Sequence, residues 1–169
     1  MRTMSKAIKD LYFSHYQDGL IIKSHVIDLF LKYEQKPGSN ESGGILMGYI
    51  FSKHNEITKI TTPGKLDKFG KFFFIRSKIR AQSMIDSVWK RSRGTEIYLG
   101  EWHTHTQVHP MPSSDDRAMI KKVFQETIME IDFLYLIIVG LNDTYWVGKQ
   151  TNNSLVQLQV KSGSVCPVS

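Results

Sequence analysis

The chain has 169 residues, enough for one domain with its own core. Its 22 Lys and Arg against 16 Asp and Glu leave a net charge of +6, but the basic residues are dispersed, so no nucleic acid is expected as a partner. No stretch of about 18 apolar residues occurs, which argues against a membrane span. In chain order, Leu11 to Tyr16 and Leu20 to Lys23 read as short strands around the turn signal Gln17-Asp18-Gly19. Ser24 to Glu34 reads as a helix capped by Ser24, with Val26, Leu29, Phe30 and Tyr33 on one face. Lys36-Pro37-Gly38-Ser39-Asn40 is a loop that delivers Glu41. Ile45 to Ser52 and Glu56 to Thr62 form a hairpin across Lys53-His54-Asn55, and Pro63 to Gly70 is a polar loop. Lys65, Lys68, Lys71, Arg76, Lys78 and Arg80 interleave with Phe69, Phe72, Phe73 and Phe74. This reads as a buried strand, Lys71 to Arg76, running into a helix, Ser77 to Arg91, with a solvated basic face. The basic cluster is also a candidate docking surface for an acidic protein partner. Glu96 to Gly100 is a strand that leads straight into His103. Pro112-Ser113-Ser114-Asp115-Asp116 supplies an N-cap and acidic first-turn residues for a helix reaching about Met129. Phe133 to Val139 is a continuous apolar strand; Tyr145 to Lys149 and Leu155 to Val160 follow around Thr151-Asn152-Asn153. Residues 1–162 are expected to form a single domain of class α+β, and 163–169 a short flexible tail. The one cysteine, Cys166, excludes an internal disulfide, and the N-terminus lacks the apolar run of a signal peptide, so a reducing cytoplasm is expected.

One segment concentrates the chemistry. His103 and His105 stand two apart at the end of a predicted strand, where alternation aims both rings to the same face. Asp116, in the first turn of the next helix, can face back toward that strand end. Two imidazole nitrogens and a carboxylate oxygen with one open position make a catalytic rather than a structural zinc site.

The order H-x-H, seven residues, S-x-x-D, with a glutamate upstream in Glu41-Ser42-Gly43-Gly44-Ile45-Leu46-Met47-Gly48, resembles the JAMM (JAB, MPN-plus) zinc metallopeptidases. The likeness spans roughly Ile22 to Gly148 and looks greatest toward the JAMM isopeptidases of bacterial CBASS antiviral operons. Phe73 to Ser77, Trp89 to Gly94 and Tyr98 to His105 carry that narrower likeness. The resemblance implies a mixed β-sheet flanked by helices. It implies zinc held by His103, His105 and Asp116, with a water in the fourth position. Glu41 is implied as general base, and Ser113 as donor to that water or to the oxyanion. The implied substrate is the C-terminal tail of a conjugated protein, a cGAS-like nucleotidyltransferase or a ubiquitin-like protein, cut from a lysine or another terminus. Another ubiquitin-like or sulfur-carrier substrate, or a non-catalytic scaffold, is the alternative; the scaffold is opposed by all five motif positions being filled.

Taken singly, each motif residue has a plainer role: Ser113 and Asp116 as N-cap and first-turn acid, Glu41 as a surface carboxylate. Thr106 stands where the family often has proline. His109 is four residues from His105, but Pro110 and Pro112 argue against a helix there, so it is read as a loop residue or substrate contact. Glu101 and Trp102 are both assigned to the strand face opposite the histidines, as structural residues. Gln107 to Met111 are expected to line the substrate groove.

Overall fold

The structure, a computed structural model, describes residues 8–161. The expected tail from residue 163 lies outside the described residues, as does the end of the expected domain at 162.

Ten strands and three helices form among the described residues. They are β1 (Leu11–His15), β2 (Asp18–Ile22), α1 (Ser24–Lys32), β3 (Gly43–Ile50), β4 (Asn55–Ile60), β5 (Lys68–Gly70) and β6 (Phe73–Ile75). Then come α2 (Lys78–Arg91), β7 (Ile97–Thr104), α3 (Ser114–Glu126), β8 (Leu134–Val139), β9 (Tyr145–Gln150) and β10 (Leu155–Val160). Eight strands make one mixed sheet, ordered β1-β10-β9-β8-β7-β3-β4-β2, with β2–β4 and β7–β8 parallel. The expected mixed sheet with flanking helices is present, but β1 pairs with both β2 and β10, so the sheet closes into a barrel. Closure leaves this sheet no free edge.

Strand β8 shows why the core has two compartments. Its Leu-Tyr-Leu-Ile-Ile-Val run is buried at every position, as expected of a strand covered on both faces. Tyr135, Ile137 and Val139 join one cluster with Leu20, Phe30 and Trp102, which includes Val26 and Ile27 of α1. Leu134, Leu136 and Ile138 join a second with Ile45, Met47 and Tyr98, covered by Ala81 and Val88 of α2 and Ile120 of α3. Period-2 alternation thus divides one apolar run between α1 on one side and α2 with α3 on the other.

Several local expectations are corrected. Ser24 does not cap α1: Lys23 occupies the cap position, its side chain bonded to Asp10 Oδ2 at 2.6 Å rather than to the helix, and the Ser24 N–H donates to Asp10 Oδ1 at 2.6 Å. A carboxylate from before β1 thus does the work expected of a serine. Helix α3 ends at Glu126 rather than near Met129, with Thr127 extended. The stretch from Lys71 to Arg76 is not a buried strand. Strands β5 and β6 pair only with each other among the described residues, so this short hairpin stands outside the barrel with Phe69, Phe72, Phe73 and Ile75 exposed. Phe74 is the ring turned inward, against Gly43.

Strand β7 carries a bulge. The pairing with β3 shifts between Leu46 and Met47, skipping Leu99, and Gly100 takes φ +147°. A Cβ at Gly100 would overlap the Tyr135 carbonyl of β8. The extra residue resets the alternation just before the histidines.

Candidate metal centre

Three neighbours of β7 assemble the site. On one side β3 pairs antiparallel, with Gly43 opposite His103. The segment just before β3 is fastened there: Thr104 N–H donates to Ser42 O at 2.9 Å, and Ser42 N–H donates to Thr104 Oγ1 at 3.0 Å. Glu41 therefore arrives beside the histidines. On the other side β8 runs parallel, His103 pairs with Ile138, and His105 N–H donates to Val139 O at 2.9 Å, holding it in line one residue past the strand. Helix α3 then returns Asp116 from its first turn.

His103 Nε2 lies 3.0 Å from Asp116 Oδ1, and His105 Nε2 lies 3.2 Å from Asp116 Oδ2. The two rings are 5.0 Å apart between centroids. One ligand atom from each residue falls within 4.8 Å of the others. His103 is only 6% exposed, and its Nε2 has no hydrogen-bond partner despite the nearby carboxylate. A buried nitrogen seldom goes without one. The contact has the distance of an ion pair without the direction of a hydrogen bond, as arises when donor atoms converge on a common point rather than on each other. That orphaned nitrogen and the N, N, O donor set fit a divalent ion such as zinc.

The charges are strongly coupled. Burial alone would raise the Asp116 pKa, but His103, His105 and the Ser113 N–H hold it far below the ordinary carboxylate range. Burial would lower His105, yet Asp116, with help from Glu41 and Gln107, raises it. Burial raises Glu41 above a normal glutamate, opposed by His103 and His105 and reinforced by Asp116. A dication among these groups favours neutral imidazoles and an ionised carboxylate. The His105 Nδ1 is 3.3 Å from Gln107 Oε1, which also accepts from Met111 N–H. In the tautomer with Nδ1 protonated, Gln107 orients the ring and leaves Nε2 free to ligate.

Ser113 and Asp116 form a reciprocal capping box on α3. Asp116 N–H donates to Ser113 Oγ at 3.1 Å, and Ser113 N–H donates to Asp116 Oδ2 at 2.7 Å. The plain role of Ser113 is therefore real, and it serves the site by orienting the carboxylate. Its exposed hydroxyl still has its O–H to donate. Ser113→Ala is expected to cost about 1 kcal/mol of stability through the lost cap. Metal affinity should fall less than about tenfold, because the backbone N–H that orients the Asp116 carboxylate is kept in the variant. Urea denaturation and competitive metal titration measure the two effects, and a loss of affinity beyond about tenfold would contradict the backbone N–H as the group that holds the carboxylate.

The structure brings His103, His105, Asp116 and Glu41 together and leaves His109 exposed in the loop, outside the donor group. Thr106 is exposed too. Trp102 is core as expected, with its ring 5.1 Å from that of Phe30 and Nε1–H donating to Thr61 O. Glu101 is corrected. It alternates with Trp102, so it shares the face of His103, where it accepts from Tyr98 Oη at 2.6 Å and from Arg76 Nε at 2.9 Å. Sequence reading missed Gln107 as a partner of His105; its spacing of two from that histidine was the available signal.

The family described as prokaryotic homologs of the JAB domain matches residues 23–152. A CD-NTase/cGAS isopeptidase of Vibrio cholerae is 34% identical over 143 residues, 83% of this chain and 88% of that protein. One of the same name from Escherichia coli is 32% identical over 89% of this chain and 94% of its own length. A probable metalloprotease of Sinorhizobium fredii is 27% identical over 83% of this chain and 90% of that protein. The solution structure of a protein from Desulfitobacterium hafniense superposes with a TM-score of 0.58 at 15% identity, covering 80% of this chain and 87% of that one. That last likeness concerns the fold alone.

Proposed function

The chain belongs to the family of prokaryotic homologs of the JAB domain, and on that premise we propose that it is a zinc-dependent isopeptidase. Its substrate is the C-terminal tail of a cGAS-like nucleotidyltransferase joined to an amine, in bacterial antiviral (CBASS) defence. The observation that carries the reading is the convergence of His103, His105 and Asp116 around the partnerless His103 Nε2, with the Glu41 carboxyl close enough to feel their charges. The relatives named CD-NTase/cGAS isopeptidase support the choice of substrate.

His103, His105 and Asp116 would hold the zinc. Zinc in such a site brings the pKa of a water down to about 7 and polarises a carbonyl oxygen. Glu41 takes a proton from the water as its oxygen bonds to the scissile carbonyl carbon. Glu41 then gives that proton to the nitrogen as the C–N bond breaks, releasing a free carboxyl terminus and a free amine. The Ser113 O–H donates toward the negative charge that develops on oxygen.

The tail enters extended, because a folded segment cannot present one carbonyl with both flanks clear. Val108, His109 and Met111, exposed in the loop that follows His105, would meet it. The β5–β6 hairpin adjoins Glu41, whose N–H donates to Gly70 O at 2.8 Å, and among the described residues the outer edge of β6 pairs with no further strand. An extended chain can add to such an edge through main-chain bonds. Cleavage is therefore expected just after the C-terminal residue of the nucleotidyltransferase, leaving its tail intact. Mass spectrometry of a purified conjugate after digestion tests this. Cuts within folded regions, or at many unrelated peptide bonds, would mean a general protease.

A further inference from the structure

Glu41 lies in neither helix nor strand, on the segment between α1 and β3. Such a segment has no ladder of its own, so something else must fix its backbone. A single buried side chain, Gln35, supplies much of that. It is 3% exposed. Its Nε2 donates to Ser39 O at 3.0 Å and to Lys71 O at 3.1 Å. Its Oε1 accepts from Thr104 Oγ1 at 3.3 Å. Thr104, 0% exposed, uses the same hydroxyl to accept from Ser42 N–H.

These bonds bracket Glu41. Before it, Ser39 is held by Gln35; after it, Ser42 is held by Thr104, which Gln35 orients. Lys71, the third attachment, is the residue after Gly70, whose carbonyl accepts from Glu41 N–H. One amide thus joins the segment bearing Glu41, the turn of the β5–β6 hairpin and the strand bearing the histidines. Only an amide of this length offers two donors and an acceptor together; glutamate loses both donors, and leucine loses all three groups.

We propose that Gln35 is a positioning residue for the reaction, setting the place of the Glu41 carboxylate relative to the metal centre through the backbone on either side of it. It touches neither substrate nor metal. The proposal rests on the reading of Glu41 as general base.

The test uses the full chain, zinc-loaded, on a cGAS-like nucleotidyltransferase fused through its C-terminus to a reporter protein. Gln35→Leu is expected to lower kcat about 10- to 100-fold, the scale of a misplacement of about 1 Å in a catalytic group. KM and zinc per chain should stay unchanged. In a Glu41→Ala background the same change should alter the residual rate less than about twofold, because its effect runs through Glu41. A role in general stability would instead multiply the loss in both backgrounds, and that outcome overturns the proposal, as does an unchanged kcat in Gln35→Leu. Should Gln35→Leu not fold, Thr104→Val, which removes the hydroxyl between Gln35 and Ser42, must show the same split between kcat and KM or the proposal fails. Wild-type turnover in Glu41→Ala would overturn both the general-base reading and this inference; an inactive Glu41→Ala beside an unimpaired Gln35→Leu would overturn this inference alone.

Discussion

His103→Ala is expected to abolish both metal binding and hydrolysis. His103 Nε2 is buried without a hydrogen-bond partner and lies 3.0 Å from Asp116 Oδ1, so its removal takes one donor of three. The remaining His105 and Asp116 offer only two protein ligands, too few for the three that hold a catalytic zinc. Purified wild type should carry about one zinc per chain and the variant close to none, read by elemental analysis. Asp116→Asn separates ligation from folding. An amide oxygen can still accept from Ser113 N–H, so the α3 cap survives, while the anionic ligand is gone. With zinc removed from both, Asp116→Asn should therefore melt near the wild-type temperature, yet it should hold zinc poorly when metal is restored. Stoichiometric zinc in His103→Ala would remove the assignment.

Glu41→Ala should keep its zinc and lose turnover by roughly 10²–10⁴-fold, the usual contribution of a general acid–base group. Glu41 is not among the converging donors, so the ion has no reason to leave. Its carboxyl is half-buried, and burial raises its pKa above that of a free glutamate. The proton-accepting form is the ionised one, so it grows as pH rises through that raised value. Activity should accordingly fall on the acid side sooner than for an exposed carboxylate. The pH dependence of kcat/KM, measured beside zinc content, checks both parts. A Glu41→Ala enzyme at wild-type rate would leave Glu41 an ordinary carboxylate.

Much of the frame was legible because it rests on local patterns. The β8 run, the start of α2 near Ser77 and the Ser113 start of α3 follow from apolar periodicity and side chains that bond their own backbone. The elements that went astray depend on distant partners. Whether the phenylalanines near Phe72 are buried depends on whether their strand joins the barrel, and hydropathy alone does not carry that; Phe72 is 91% exposed. The cap of α1 comes from Asp10, far back in the chain. Glu101 follows strict alternation onto the face of His103 rather than the opposite face expected of it, and the bulge at Gly100 determines which residues before it share that face.

The sequence by itself determined the donor set. His103 and His105 are two apart on an extended chain, and Ser113 and Asp116 three apart at a helix start, so backbone geometry within each pair fixes their relation. Tertiary structure alone decided that these two pairs meet and that Glu41 joins them. That required β3 to pair beside β7 with Gly43 opposite His103, and α3 to return over the parallel β7–β8 step. It also decided that Gln35, unremarkable in the sequence, holds the segment bearing Glu41. The reason is physical: covalent spacing orders groups a few residues apart, whereas contacts such as Thr104 to Gln35, 69 residues apart, exist only after the strands have paired and the core has closed.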